Sequence, residues 1–317
     1  MPAASDALSG PSAARDVDRQ LPAGDEIFLD HLAHFVRDAD AASRAFARCG
    51  FAPTPASIQV SPNPDGGVRP TGTGNVTAMF SRGYVEVLFK TSDTPLSREF
   101  DAALEQHAGL HLVAFAVADA EKVHRRLAAS GFAVRPLVHM SRPVATEAGP
   151  STAAFTIARV EPGVMPEGRI QVLTHHTEET VWQKRWLTHP NSAVGLIDVM
   201  IAVGNVEEAA QRFTGFTGRT ATRTPGGALL QLDRGGVYLV SHERVTERLP
   251  EVAIAKPPFI VGYALRVQSL AAAEAAVDHA GLEWRAIEGG VVAAFPAELG
   301  EGAWFFVERA ADLPWRR

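Results

Sequence analysis

Two histidines interrupt an otherwise apolar run near the start of the chain, Phe28-Leu-Asp-His31-Leu-Ala-His34-Phe-Val36. Imidazole nitrogens ligate borderline divalent metals and move protons near neutral pH, so the question is which ring faces a cavity. Side chains alternate along a strand. Val36 leads into a helical pattern and belongs with the helix-side core. His34 and Leu32 then share that face, and His31, Ala33 and Phe35 face the other way. His31 is the candidate ligand and His34 a core residue. Glu86, in Gly83-Tyr-Val-Glu86, stands among Val85, Val87 and Leu88, and a carboxylate in such company is costly to bury unless it is paired or metal-bound. Gly168-Arg-Ile-Gln171 repeats the spacing with a neutral oxygen donor.

His111, in Gly109-Leu-His-Leu-Val-Ala-Phe-Ala-Val117, is the fourth candidate, but its register is off by one. Five residues before Val36 stands His31, whereas five before Val117 stands Leu112. A one-residue slip turns a side chain to the opposite face. Either a β-bulge returns His111 to the cavity, or it points away. Together, His31, Glu86, His111 and Gln171 would suit one divalent ion of the Zn²⁺, Ni²⁺, Co²⁺, Mn²⁺ or Fe²⁺ type. His31, Glu86 and His111 alone would form the facial triad of a non-haem iron site.

Further polar residues cluster around these. His175 follows Gln171 by four residues and shares its face on a continuing strand, so His175 and Glu86 are the candidates for moving a proton on a bound substrate; His176 faces away. The blander alternative is that the two histidines close the strand end against Trp182. Asn75, in Gly72-Thr-Gly-Asn75, could bond substrate or orient Glu86. His139 and Arg142 sit on a Pro-bounded loop, where an arginine could pair with a substrate carboxylate.

The elements that must position these residues repeat. The segments 35–51, 116–132, 202–218 and 266–282 each read as a strand end, a polar turn, an amphipathic helix and then Gly-Phe, replaced in the fourth by Gly281-Leu282. Apolar spacings of three and four mark one buried helix face, and Asp or Asn at the turn can cap the helix. Short β-like runs follow each helix, giving strand, helix, then two or three strands. Such a unit leaves one sheet face bare, which pairing two units covers. The reading is an α+β fold of four βαβββ modules, paired into two cup-shaped mixed sheets with helices outside. Residues 1–24 form a tail rich in Ala, Ser, Pro and Asp that is expected to be disordered; 25–190 form the metal-binding half and 191–317 a degenerate half. Carrying His31 forward by the repeat offset lands on Asp198 and Gly262, and the positions matching Glu86 hold Tyr238 (or Leu239) and Phe305, which makes no metal site. That half would serve as a wall or a dimer surface.

A net charge of −6 leaves no basic footprint for nucleic acid. No apolar run is long enough to span a membrane. The single cysteine, Cys49, excludes an intramolecular disulfide and reads as a packing residue, which fits a reducing, cytoplasmic setting.

The repeated module, its Asp-His opening and its Gly-x-x-Glu close resemble the vicinal oxygen chelate superfamily, which includes glyoxalase I, extradiol dioxygenases and drug-resistance proteins. Residues 72–88, with their Gly-Thr-x-Asn and Tyr-x-Glu strands, are similar to its glyoxalase-like branch. The resemblance implies one divalent metal bound in the cup and a small substrate chelating it through neighbouring oxygens, with isomerase-, lyase- or hydrolase-type chemistry. Extradiol ring cleavage on iron, and metal-free binding of a small molecule, are the alternatives. A homodimer is compatible with exposed sheet edges.

Overall fold

The computed structural model describes residues 19–63, 65–253 and 256–317. Most of the expected tail, residues 1–18, lies outside the described residues. Residues 19–24 run against the body: the Arg234 guanidinium donates to the Arg19 carbonyl at 2.9 Å, and Leu21 packs on the first cup.

The four modules are present. The first holds β1 (Ile27–Phe35), α1 (Ala39–Arg48), β2 (Ser57–Pro62), β3 (Val68–Met79) and β4 (Tyr84–Lys90). A connecting helix α2 (Pro95–Gln106) leads to the second, with β5 (Gly109–Val117), α3 (Ala120–Ala129), β6 (Val138–Thr146), β7 (Gly149–Arg159) and β8 (Arg169–His175). After the short α4 (Glu178–Val181), the third holds β9 (Ala193–Val203), α5 (Val206–Thr217), β10 (Ala221–Thr224), β11 (Gly227–Gln231) and β12 (Gly236–Ser241). Then α6 (His242–Arg248) precedes β13 (Phe259–Val267), α7 (Leu270–His279), β14 (Trp284–Ile287), β15 (Gly290–Ala294) and β16 (Ala303–Val307). The module helices start alike. Asp38, Asp119, Asn205 and Ser269 each accept a bond from a backbone N–H in the first turn, satisfying a donor the helix leaves free.

The first two modules close into a barrel of order β1-β4-β3-β2-β6-β7-β8-β5. One seam is the long antiparallel β1–β5 ladder; the other is a single bridge, Val60 to Ser141. The last two modules form an open sheet of order β10-β11-β12-β9-β13-β16-β15-β14. The segment read as a loop around His139 and Arg142 is strand β6. Pro143 is tolerated there because β6 has a full partner only on its β7 side.

Alternation along the strands divides the interior. Leu32 and Val36 join a helix-side core that runs without a break through both halves, whereas Ala33 and Phe35 belong to the barrel interior. His34 lies in the shared core, as its register implies: its Nδ1 donates to the Leu299 carbonyl at 2.9 Å, and its Nε2 accepts from the Tyr263 hydroxyl at 3.2 Å. Burial pushes its pKa down to about 4. Burial likewise raises the Cys49 thiol to about 12, and Cys49 is a packing residue. Among the described residues no helix is long and apolar enough to cross a membrane.

Candidate functional site

The barrel interior holds a small cup at the middle of β1, β4, β7 and β8. His31 and Glu86 approach across the parallel β1–β4 pair, with His31 Nε2 3.6 Å from Glu86 Oε1. Each is held from behind. His31 Nδ1 donates to Asp30 Oδ2 at 2.7 Å, which turns Nε2 toward the cup. Asn75 Nδ2 donates to Glu86 Oε2 at 2.7 Å, and the Tyr84 ring stacks on His31 with centroids 4.4 Å apart. Asp30 can reach His31 because β1 bulges at that residue: Leu29 pairs with Phe115, but His31 already pairs with Ala114. The extra residue rotates the strand locally and leaves neighbouring side chains on one side. Asp30 is fully buried and also accepts from His175 Nε2 at 3.0 Å. Burial alone would raise its pKa, but the two imidazoles outweigh burial and hold the carboxyl far below the usual range.

The opposite wall is cationic. Arg142, Arg159 and Arg169 all line the cavity with His31, Glu86 and Gln171. Arg159 Nε donates to Gln171 Oε1 at 2.9 Å. Arg169 lies 3.8 Å from Glu99 and over the Phe35 ring at 5.3 Å. Among the described residues no carboxylate comes within ion-pair distance of Arg142 or Arg159. Burial, and then Arg169, pull the Arg159 guanidinium down to about 9, still protonated at neutral pH. Buried cations without counter-ions are costly, and an anion entering the cup would offset that cost. The cavity is narrow, about 30 Å³, room for little more than a water molecule or two as it stands.

The sequence-derived candidates thus divide. His31, Glu86, Asn75, Arg142 and Gln171 meet at the cup. His175 does not line it: its ring is closed beneath Trp182 and Phe155, with Asp30 as its partner, so it positions Asp30. His139 projects outward and bonds Thr156, which also bonds His176. His111 is not brought to His31. It is the extra residue of a second bulge, since Ala33 pairs with Leu112 but His34 already pairs with Leu110. The parallel registers explain the slip: His31 pairs with Tyr84 two residues before Glu86, and Leu112 pairs with Arg169 two residues before Gln171. Leu112 therefore occupies the counterpart of His31, and His111 the counterpart of Asp30. The His111 ring stacks on His107 at 4.0 Å, and its Nε2 donates to the His107 carbonyl at 2.8 Å. It lies in a separate cleft of about 460 Å³ that shares only Arg159 and Arg169 with the cup. Asp30, Arg159 and Arg169 are the residues that the reading of the sequence passed over.

The donor set does not complete a resident metal site. Among the described residues, no group of three His, Cys, Asp or Glu side chains is placed to hold an ion. Gln171 Oε1 already serves Arg159, and three guanidiniums facing one carboxylate would repel a dication.

The second cup carries none of this chemistry. Asp198 pairs with Gly236, two residues before Tyr238, so it stands at the His31 position and Tyr238 at that of Glu86. Gly262 and Phe305 take those positions in the fourth module. A side chain at Gly262 would collide with the Ala303 carbonyl oxygen. Asp198 is fully buried and locked by Arg316, at 2.6 and 2.7 Å, and by Trp315 Nε1 at 2.8 Å.

Solved structures share this architecture at low identity. A hypothetical protein from Staphylococcus aureus aligns over 88% of this chain and 98% of its own, with a TM-score of 0.58 and 11% identity. A mutant 4-hydroxymandelate synthase from Streptomyces coelicolor aligns over 89% and 92%, with a TM-score of 0.53 and 12% identity. A Mn(II)-bound glyoxalase from Novosphingobium aromaticivorans aligns over 89% and 82%, with a TM-score of 0.51 and 13% identity. These likenesses establish the fold alone. No functionally curated protein matches by sequence. The profile of the glyoxalase-like domain matches residues 29–217, more than half the chain and the whole of the cup, and the protein belongs to the glyoxalase-like domain family.

Proposed function

We propose that the first cup takes a small 2-oxo carboxylate and that His31 transfers a proton at the carbon beside its carbonyl. The observation that carries this reading is the Asp30-backed imidazole facing a carboxylate, in a largely apolar cavity that also holds Arg142 and Arg159, which have no carboxylate within ion-pair distance among the described residues. The guanidiniums fork onto the substrate carboxylate. His31 Nε2 takes the proton, the C–H electron pair moves toward the carbonyl oxygen, and the resulting oxyanion is held by a guanidinium. Returning the proton to a neighbouring atom completes an isomerisation with no other reactant. A positioned base contributes roughly 10²–10⁴-fold, and a fixed donor at the oxyanion about 10²–10³-fold. Asp30 fixes the His31 tautomer, and Asn75 keeps Glu86 turned into the cup. Substrate entry requires side chains that line the narrow cavity to move.

A divalent ion shared between His31, Glu86 and the substrate's own oxygens is the second reading. The convergence of those two donors, with a carboxylate behind the imidazole, favours it, as does the Mn(II)-bound state of one glyoxalase of similar fold. Ring cleavage by a facial triad is disfavoured, because His111 lies outside the cup.

One experiment separates these readings. Metal content is measured on untagged protein purified without chelator, and deuterium exchange into 2-oxobutyrate is followed by NMR. Metal-free protein that catalyses exchange, with exchange lost in His31→Gln, is the expected result. About one ion per chain, lost in Glu86→Ala, would replace it with the metal reading. Binding without exchange would leave a binding protein.

A further inference from the structure

The second half of the chain encloses a cavity of its own. It measures about 290 Å³ and lies on the concave face of the open sheet, beneath α6. Tyr238 and Phe305 line it, the residues standing where Glu86 and Gln171 stand in the first cup. The cavity therefore repeats the location of the first site in a half that has lost its polar groups.

Its wall is apolar. Met200, Val240, Val292 and Leu249 line it alongside a stacked aromatic pair, Tyr238 on Trp315, with centroids 5.1 Å apart and planes within 5°. Phe305 meets the Trp315 ring edge-on at 4.9 Å. This wall is rigid, because Trp315 is fixed through Nε1 to buried Asp198. At the mouth stand Arg244 and Arg248 from α6 and Arg285 from β14. Arg244 has Glu247 at 3.0 Å and Arg285 has Glu251 at 3.4 Å. Arg248 has no carboxylate within ion-pair distance among the described residues. A chain of net charge −6 thus presents three guanidiniums around the opening of an apolar pocket.

We infer that this cavity is a second ligand site, for a small monoanion with an apolar body, such as a medium-chain or aromatic carboxylate. The body lies against the Tyr238–Trp315 wall and the carboxylate meets Arg248 at the mouth. The volume sits near the lower end of the range for small-molecule pockets, about 300–1,000 Å³. Apolar burial supplies the affinity, and a guanidinium at the rim selects the charge. The inference does not depend on what the first cup does.

Calorimetric titration of the full chain with octanoate tests it, with 1-octanol as a probe of the same body lacking the charge. One saturable site per chain is expected, with octanol at least tenfold weaker. Arg248→Glu, an exposed substitution, should weaken octanoate at least tenfold. Ile287→Trp, which fills the mouth, should abolish binding, and Arg142→Ala in the first cup should leave it unchanged. Absence of saturable binding overturns the inference. So does binding that Arg142→Ala abolishes, or binding that neither second-cup variant alters. A dimer at micromolar concentration that Arg248→Glu dissociates would show this face to be covered by a second copy, and would overturn it as well.

Discussion

The two cups share one scaffold and treat buried charge in opposite ways. In the second, Asp198 is closed by Arg316 and Trp315, all within the chain, and the wall of the concavity is apolar, with arginines only at its mouth. In the first, Asp30 is satisfied by imidazoles, but among the described residues Arg142 and Arg159 reach no carboxylate, and Glu86 faces His31 without a bond. A buried charge satisfied within the chain, as Asp198 is by Arg316, serves stability. A half that leaves cations open at a cavity keeps that electrostatic free energy for something that enters.

The largest effect that would test this contrast lies in the second cup. Arg316→Ala leaves Asp198 buried with Trp315 as its remaining partner. Stranding one member of a buried pair costs about 3–5 kcal/mol, so urea denaturation should show a loss of that order. Replacing both residues, as Asp198→Leu with Arg316→Leu, should recover much of it. A loss below about 1 kcal/mol in the single variant would mean that the pair contributes little and that the two cups differ less than their geometry suggests.

The joint between the halves offers the next. His34, on a strand of the first cup, bonds Leu299 and Tyr263 of the fourth module. Its folded pKa is about 4 against an ordinary 6.5, lowered by burial. The unfolded chain therefore binds the proton more readily between those values, so stability is full above about pH 6.5 and declines as pH falls toward 4. The His34 contribution amounts to at most roughly 3 kcal/mol. His111, also at about 4, acts in the same direction within the first half. Melting temperature followed from pH 8 to pH 4 should fall through this window. His34→Gln, whose amide can serve both partners, should melt lower at pH 8 and slope less. An unchanged slope would place the titration elsewhere.

How much of this was legible depends on whether the determinant is local. Period-two alternation placed His31 against His34 from one strand alone. The same rule places Arg159 on one face with Phe155 and Ile157 in β7, and Arg169 on the face of Gln171 two residues on. Helix α2 was similarly available, since Leu96, Phe100, Ala103 and Leu104 repeat at helical spacing after Thr94-Pro95, but it falls between repeats. The bulge at Asp30 was not readable, and the one at His111 showed only as a one-residue slip open to two interpretations, because both exist only in the pairing of β1 with β5. Nor was the lock on Asp198, whose partner lies 118 residues away in sequence.

The smallest effect sharpens the comparison most, because its sign is the test. Met has nearly the length of Arg and no charge, so Arg159→Met removes an uncompensated buried cation and keeps most of the packing. Its direct bond to Gln171 is lost, which leaves the Gln171 amide oxygen in need of a donor and costs about 1 kcal/mol. Relief of burying a cation beside Arg169 works in the opposite direction and is of at least that size. Urea denaturation should therefore show Arg159→Met unchanged or stabilised by about 1 kcal/mol, while binding of 2-oxobutyrate falls at least tenfold. The same exchange at Arg316 should lower stability and leave that binding intact. If Arg159→Met instead destabilises as strongly as Arg316→Ala, the guanidiniums of the first cup are structural, and its open charges are not held for a ligand.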